Sequence, residues 1–172
     1  MVVPNEKELN MQRSFWHFEM AIRLWNAIDL KKIPDEIFRE SITIEDGGGI
    51  LVLDDALFEA QEARLNAIQA LVGDAFGRTA SALSEYVDFL IPEDPTVQQK
   101  DLRDFIYMIR CAFSHEIGAP QWEVRGRYRR SLSVEGTPYD MGELNGKEFA
   151  YEDVGGCEVL HKIRNLIPKY FS

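Results

Sequence analysis

The sequence contains little cysteine and histidine, and it lacks the motifs in which these residues usually bind metals. Its 172 residues include two cysteines, Cys111 and Cys157, and three histidines. It has no Cys-x-x-Cys pair, no HExxH motif and no GxSxG motif. A zinc site, a redox dithiol and a serine-hydrolase centre therefore have no support, and we predict neither a metal nor a cofactor.

Long apolar runs are also missing. No segment approaches the roughly 20 consecutive apolar residues that a membrane-spanning helix needs. The first residues, MVVPNEKELNMQR, carry charges where a secretory signal peptide has its apolar core. We therefore expect no membrane partner and a cytoplasmic location.

Negative charge predominates, with 29 acidic against 19 basic residues and a net charge of −10. Such a surface repels phosphate backbones over most of its area, so contact with nucleic acid requires a local basic patch. Hydrophobic residues make up 45% of the chain, as in ordinary globular proteins. We predict a single domain over residues 1–172, because a chain of this length buries a sufficient core without disulfides.

Apolar residues recur at steps of three and four over the first two-thirds of the chain, which is the period of amphipathic helices. Proline and glycine divide this pattern into segments. The Asp94-Pro95 pair is a favourable helix start, because it combines an N-cap residue with proline at the first helical position. The predicted helices cover residues 5–30, a segment from Asp54 or Asp55 to Val72 with a break or kink at Gly73, a segment from Phe76 to Leu90, and a segment from Asp94 to about Ile117.

The first of these helices carries apolar residues on two opposite faces. One face consists of Met11, Phe15, Phe18, Ile22 and Trp25. The other consists of Trp16, Met20 and Leu24. A helix with two apolar faces must be covered twice, either at the centre of a bundle or by another chain. We favour a homodimer contact at the second face.

The period changes to two in two other regions. Residues 42–53 alternate around three glycines, which predicts a short β-hairpin or a flexible loop. Residues 122–134 alternate apolar and charged side chains, which predicts a strand or a bent strand pair, and Asn145-Gly146 predicts a hairpin turn. We therefore predict a mainly α fold, with a four-helix-type bundle over residues 5–120. A small extension over residues 121–172, a β-hairpin or strand plus a closing helix, packs on it.

One segment, Arg110-Cys111-Ala112-Phe113-Ser114-His115, combines residues that suit phosphate chemistry. An imidazole with a pKa near 6.5 can move protons at neutral pH. A guanidinium stays charged and can contact two phosphate oxygens at once. RNA can be cut without a metal when its own 2′-hydroxyl attacks the adjacent phosphorus, so these two groups predict His115 as general acid or base and Arg110 as phosphate clamp.

The Arg-x4-His spacing near the end of a late bundle helix resembles the signature of the HEPN family. The resemblance covers residues 5–120 and implies an all-helical homodimer in which both subunits contribute to one cleft. It also implies a metal-independent endoribonuclease of toxin–antitoxin or defence type, with RNA as substrate and a cognate antitoxin protein as a possible partner. Cys111 departs from the family pattern, which often has a polar residue after the arginine, and this departure bears on catalysis more than on the fold.

Three further arginines, Arg125, Arg127 and Arg129, alternate along the predicted strand and would share one face of it. They could guide an RNA backbone towards the cleft. Alternatively, they are charges that protect an exposed strand from edge pairing. His115 and Arg110 also have structural alternatives, since a histidine stabilises a helix C-terminus and an arginine stem covers apolar surface. The rival functions are a non-catalytic dimerisation or protein-interaction module and a nucleotide-binding bundle.

Overall fold

The computed structural model describes residues 5–38, 42–46, 49–53, 60–114 and 119–171. Within these ranges the chain is mainly helical, with five α-helices and two separate antiparallel strand pairs, which confirms the predicted mainly α fold with a C-terminal hairpin and closing helix. The helices are α1 (Glu6–Asp29), α2 (Gln61–Leu90), α3 (Val97–Ala112), α4 (Met141–Leu144) and α5 (Val159–Tyr170). The strands are β1 (Ile42–Asp46), β2 (Gly49–Leu53), β3 (Ser131–Val134) and β4 (Thr137–Asp140). None of the described helices is both long and apolar enough to cross a membrane.

The chain divides into two compact units, one formed by Met1–Phe18 with Gly73–Ser172 and the other by Glu19–Val72. The second unit contains the hairpin of β1 and β2, in which Ile42 lies opposite Leu53. The hairpin that the alternation predicted is therefore present. The residues described below as a candidate site all belong to the first unit.

Helix α1 buries one of its two apolar faces and exposes the other. Met11, Phe15 and Phe18 are buried, as predicted, whereas Ile22 of the same set is half-buried and Trp25 is exposed. The second set is exposed, with Trp16 64% and Met20 65% accessible. The described part of the chain therefore leaves this second face uncovered.

Helix α2 runs through Gly73 without interruption, so the predicted break there is wrong. A glycine in a helix interior costs only about 1 kcal/mol relative to alanine, and the buried residues that follow it outweigh this cost. These are Phe76, Ala80, Leu83 and Val87, all fully buried as predicted, whereas Leu90, the last residue of the predicted stripe, is only half-buried. Gly77 has a packing role, because a Cβ atom there would lie 2.9 Å from Cβ of Phe113.

Helix α3 begins later and ends earlier than predicted. Its N-cap is Thr96 and not Asp94, because the Thr96 hydroxyl accepts from the N–H of Gln99 while the Gln99 side chain accepts from the N–H of Thr96. Its last helical residue is Ala112, after which the N–H of Phe113 bonds to the carbonyl of Arg110. The predicted core residues Leu102, Phe105, Ile106, Ile109, Ala112 and Phe113 are all buried.

The C-terminal segment packs on α3 through β3 and α5. The hairpin turn joining β3 to β4 is Glu135-Gly136, in which both residues have a positive φ, and not the predicted Asn145-Gly146. Asn145-Gly146 instead bonds to the segment around the buried Trp122, since the Asn145 side chain accepts from the N–H of Val124 and the N–H of Gly146 donates to the carbonyl of Trp122. The buried indole N–H of Trp122 donates to Asp153 at 2.9 Å.

Candidate nucleic-acid interface

Arg110 lies in the last turn of α3, on a partly exposed position next to the buried stripe of that helix. The ion pairs among the described residues involve other basic side chains, and Arg110 takes part in none of them. His115, the other half of the predicted motif, lies outside the described residues. The structure therefore shows where Arg110, the predicted phosphate clamp, lies. The role of His115 as general acid or base stays a prediction.

Tyr107 and Cys111 share the face of α3 on which Arg110 lies, one helical turn apart. A hydrogen bond between their side chains raises the pKa of the Tyr107 hydroxyl, together with the charge of the thiolate and burial, whereas the nearby Arg110 lowers it. Burial raises the pKa of the Cys111 thiol, and the hydrogen bond from Tyr107 and the charge of Arg110 offset this only in part. Cys111 is therefore a protonated neighbour at neutral pH and not an activated nucleophile.

The ring of Tyr128 stacks on that of Tyr107, with 5.0 Å between the ring centroids and 23° between the planes. The guanidinium carbon of Arg127 lies 4.9 Å from the centroid of the Tyr128 ring. An Nη2 group of Arg127 also donates to the Tyr128 hydroxyl at 2.9 Å, and this bond raises the pKa of the arginine. We call Tyr107, Arg110, Cys111, Arg127 and Tyr128 the tyrosine–arginine cluster.

Two carboxylates adjoin this cluster. The charge of Glu123 raises the pKa of Cys111, and Asp104 raises that of Arg127, so both lie within electrostatic reach. Glu123 forms an ion pair with Arg125 at 3.0 Å, and Asp104 forms one with Arg130 at 2.8 Å. Because each acid already has a cationic partner, its repulsion of an anion at the cluster is reduced.

The prediction that Arg125, Arg127 and Arg129 share one face of a strand is wrong. Residues Gly126–Tyr128 form a single turn of 3-10 helix, and β3 begins only at Ser131. Gly126 has a φ of +54°, which turns the chain out of the extended conformation. As a result Arg125 pairs with Glu123, Arg127 contacts Tyr128, and Nε of Arg129 donates to the carbonyl of Val124 at 3.0 Å.

The two tyrosines were not among the predicted site residues. Tyr107 lies off the apolar stripe of α3, at the i−3 position from Arg110, and this spacing was a usable signal. Tyr128 lies among residues 122–134, where the alternation predicts a strand and gives no sign of the turn at Gly126. Their contact joins residues far apart in sequence, which periodicity alone does not reveal.

The cluster offers fixed positive charge beside aromatic rings. A guanidinium can bind a phosphodiester oxygen, and a tyrosine ring can stack on an unpaired base. Both ionisable neighbours of Arg110 with a shifted pKa, Tyr107 and Cys111, hold their protons more tightly than usual, so they are poor general bases at neutral pH. No group of three or more potential metal ligands occurs among the described residues. The described cluster is therefore equipped for binding, and any proton transfer requires a group beyond it.

Comparisons with protein-family models, with curated proteins and with solved structures find no match. The resemblance to HEPN proteins therefore stays a prediction from the Arg110 to His115 spacing.

Proposed function

We propose that this chain binds single-stranded RNA at the tyrosine–arginine cluster and cleaves it without a metal, as an HEPN-like endoribonuclease. The observation that carries the proposal is the placement of Arg110 and Arg127 beside the stacked rings of Tyr107 and Tyr128. On a chain with a net charge of −10, an RNA backbone is attracted only where cations gather without equal numbers of free carboxylates.

The aromatic rings favour unpaired bases over a duplex. Protein side chains read RNA mainly where bases are unstacked and can lie on an aromatic ring or a guanidinium plane. Two tyrosines and Arg127 provide such planes in one place. A duplex presents mostly phosphates, and the cluster is too poor in cations to bind those alone.

In the proposed reaction the 2′-hydroxyl of the RNA attacks the adjacent phosphorus, and the bond from phosphorus to the 5′-oxygen breaks. The products are a 2′,3′-cyclic phosphate and a 5′-hydroxyl. His115 takes the 2′ proton while water protonates the leaving 5′-oxygen, or His115 protonates the 5′-oxygen while water takes the 2′ proton. Arg110 stabilises the charge that builds up on the phosphoryl oxygens.

The test is incubation of the purified chain with single-stranded RNA in EDTA, beside Arg110→Ala, His115→Ala and the control Arg78→Ala. Arg78 is an exposed arginine on α2 that pairs with Asp74 at 2.9 Å. Its replacement by alanine changes the net charge by the same amount as Arg110→Ala. We expect cleavage by wild type and by Arg78→Ala. Each site variant should be slower by a factor of at least about 100, the typical loss when one acid–base group or one group that stabilises transition-state charge is removed.

Two outcomes would refute the catalytic proposal. One is the absence of any cyclic-phosphate product from the wild-type chain. The other is equal cleavage by His115→Ala and wild type, which would indicate a contaminating nuclease.

A second candidate function, helical dimerisation or binding of another protein, is favoured by the exposed face of α1. Trp16 and Met20 are more than half exposed and lie one turn apart, with Leu24 one turn further. Contiguous large apolar side chains at a surface are typical of interaction sites. We propose a homodimer contact there, and a cognate antitoxin protein is the alternative occupant.

Light scattering after size-exclusion chromatography tests the dimer. We expect a dimer mass for wild type and a monomer mass for Met20→Glu, because a buried unpaired carboxylate is strongly unfavourable at an apolar contact. The control is Phe89→Glu, which introduces the same charge at another exposed apolar residue in α2. A wild-type monomer at micromolar concentration would refute the homodimer.

A further inference from the structure

Arg130 joins the two parts of the chain that form the tyrosine–arginine cluster. Its Nη1 group contacts Oδ1 of Asp101 at 2.6 Å, and its Nη2 group contacts Oδ2 of Asp104 at 2.8 Å. Both aspartates are on α3, and Arg130 follows the turn that carries Arg127 and Tyr128. One planar guanidinium therefore holds two carboxylates in a fixed fork, an arrangement that lysine cannot reproduce.

The two ion pairs of Arg130 are supported by burial of the aspartates and by further hydrogen bonds. The side chains of Asp101 and Asp104 are only 7% and 12% exposed, and that of Arg130 is 38% exposed. The second oxygen of Asp101 accepts from the N–H of Ser133 at 2.9 Å, so the same aspartate also contacts the backbone of β3. The N–H of Arg130 donates to the carbonyl of Tyr128 at 2.8 Å, which links the guanidinium to the stacked tyrosine through a short piece of backbone.

The ion pairs of Arg130 lie next to the stacked tyrosines in both segments. Asp104 lies one helical turn before Tyr107 on α3, and Arg130 lies two residues after Tyr128. The ion pairs and the stacked rings therefore join the same two segments at adjacent points.

We propose that Arg130 is a positioning residue for RNA binding. It holds Tyr128 and Arg127 against α3, so that they and Arg110 contact one strand of RNA together. The proposal rests on the proposed function, but it makes a structural claim that is measurable without RNA. Arg130 itself has both ends of its guanidinium occupied, so its effect on RNA is through Tyr128 and Arg127 and not through a phosphate.

The test compares Arg130→Lys and Arg130→Gln with the control Arg103→Lys. Arg103 is also on α3 and pairs with a single exposed carboxylate, Asp88, at 2.7 Å. Circular dichroism identifies the folded variants. Tyrosine ring signals in ¹³C-labelled protein report the stacking of Tyr107 on Tyr128, and fluorescence anisotropy reports the dissociation constant for single-stranded RNA.

We expect both Arg130 variants to shift the ring signals of Tyr107 and Tyr128 while the Arg103 variant does not. Binding of RNA should weaken by about tenfold in folded Arg130→Lys, although the charge is unchanged. Adding Arg127→Gln should then weaken binding much less than it does in the wild-type background, because the two residues act through one arrangement.

Unchanged ring signals in folded Arg130→Lys would overturn the positioning role, whatever happens to RNA. Independent, additive effects of Arg130→Lys and Arg127→Gln on RNA binding would also overturn it. If Arg130→Gln does not fold, Arg130→Lys and Asp104→Asn, which removes one of the two ion pairs, carry the test. A wild-type chain that binds no RNA but loses the tyrosine stacking in Arg130→Lys would contradict the proposed function and the role of Arg130 in RNA binding, and it would confirm only that Arg130 holds Tyr128 against α3.

Discussion

Tyr107 on α3 and Tyr128 in the turn before β3 stack ring on ring, with centroids 5.0 Å apart. This contact brings a residue of the helical part of the chain against a segment that follows it by 21 positions. Arg110 lies one turn beyond the first ring, and Arg127 lies over the second. Through this one contact, two arginines that sequence analysis assigned to separate features become parts of one surface.

The reactivity of Cys111 reports on whether Arg110 is where the structure places it. Burial raises the pKa of this thiol, so less thiolate is present at a given pH and alkylation is slow. The charge of Arg110 acts in the opposite direction. Arg110→Gln should therefore move the midpoint of the alkylation rate to still higher pH, measured with iodoacetamide in a Cys157→Ser background.

The matched control is Arg78→Gln, which removes an equal charge from α2 and should leave the midpoint in place. Faster alkylation of Cys111 after loss of Arg110 would be opposite in sign to this expectation. That result would mean that the arginine acts mainly by covering the thiol.

Two glycines of α2 should respond in opposite ways to alanine. Gly77→Ala should lower the free energy of unfolding by about 1–3 kcal/mol, because the added methyl group would lie 2.9 Å from Cβ of Phe113. Gly73→Ala should raise it by about 0.5–1 kcal/mol, because nothing lies within 4 Å of the added group and alanine favours the helix. Urea denaturation measures both, and equal changes at the two positions would contradict the packing of α2 against Phe113.

A third prediction concerns the N-cap residue of α3. Thr96→Ala removes the hydroxyl that accepts from the N–H of Gln99, and it should cost about 0.5–2 kcal/mol of stability. Asp94→Ala should change stability by less than about 0.5 kcal/mol, because this exposed residue precedes the cap. Thermal denaturation distinguishes the two, and a larger effect at Asp94 would restore the helix start that was first predicted.

Hydrophobic periodicity was sufficient to predict the buried residues of helices that bury one face. The predicted core residues of α3 are all buried, and so are most of those in α2 after Gly73, because burial recurs every three to four positions and depends on few long-range details. The exact helix limits were less predictable. Gly73 resembles a break although packing of Phe76 and its neighbours holds the helix together, and the Thr96–Gln99 capping box competed with an equally plausible Asp94-Pro95 start.

The candidate site was predictable only in part. Arg110 follows from a local motif, and Arg127 was identified on the assumption of a strand that the turn at Gly126 replaces. The stacking of Tyr107 on Tyr128 and the ion pairs of Arg130 with Asp101 and Asp104 were not predicted. These contacts depend on how the chain returns to α3 after residue 120, and neither hydrophobic period nor spacing contains that information.

The most direct test of the account is the binding of fluorescein-labelled single-stranded RNA, followed by anisotropy at several salt concentrations. Wild type and Arg78→Gln should bind with the same affinity. Arg110→Gln and Arg127→Gln should each weaken binding by about tenfold. Each should also reduce the slope of log affinity against log salt by about 0.7, which corresponds to the loss of roughly one phosphate contact to a single strand. Failure of the wild-type chain to bind, or equal weakening by all three arginine variants, would contradict an RNA-binding surface built on Tyr107, Arg110, Arg127 and Tyr128.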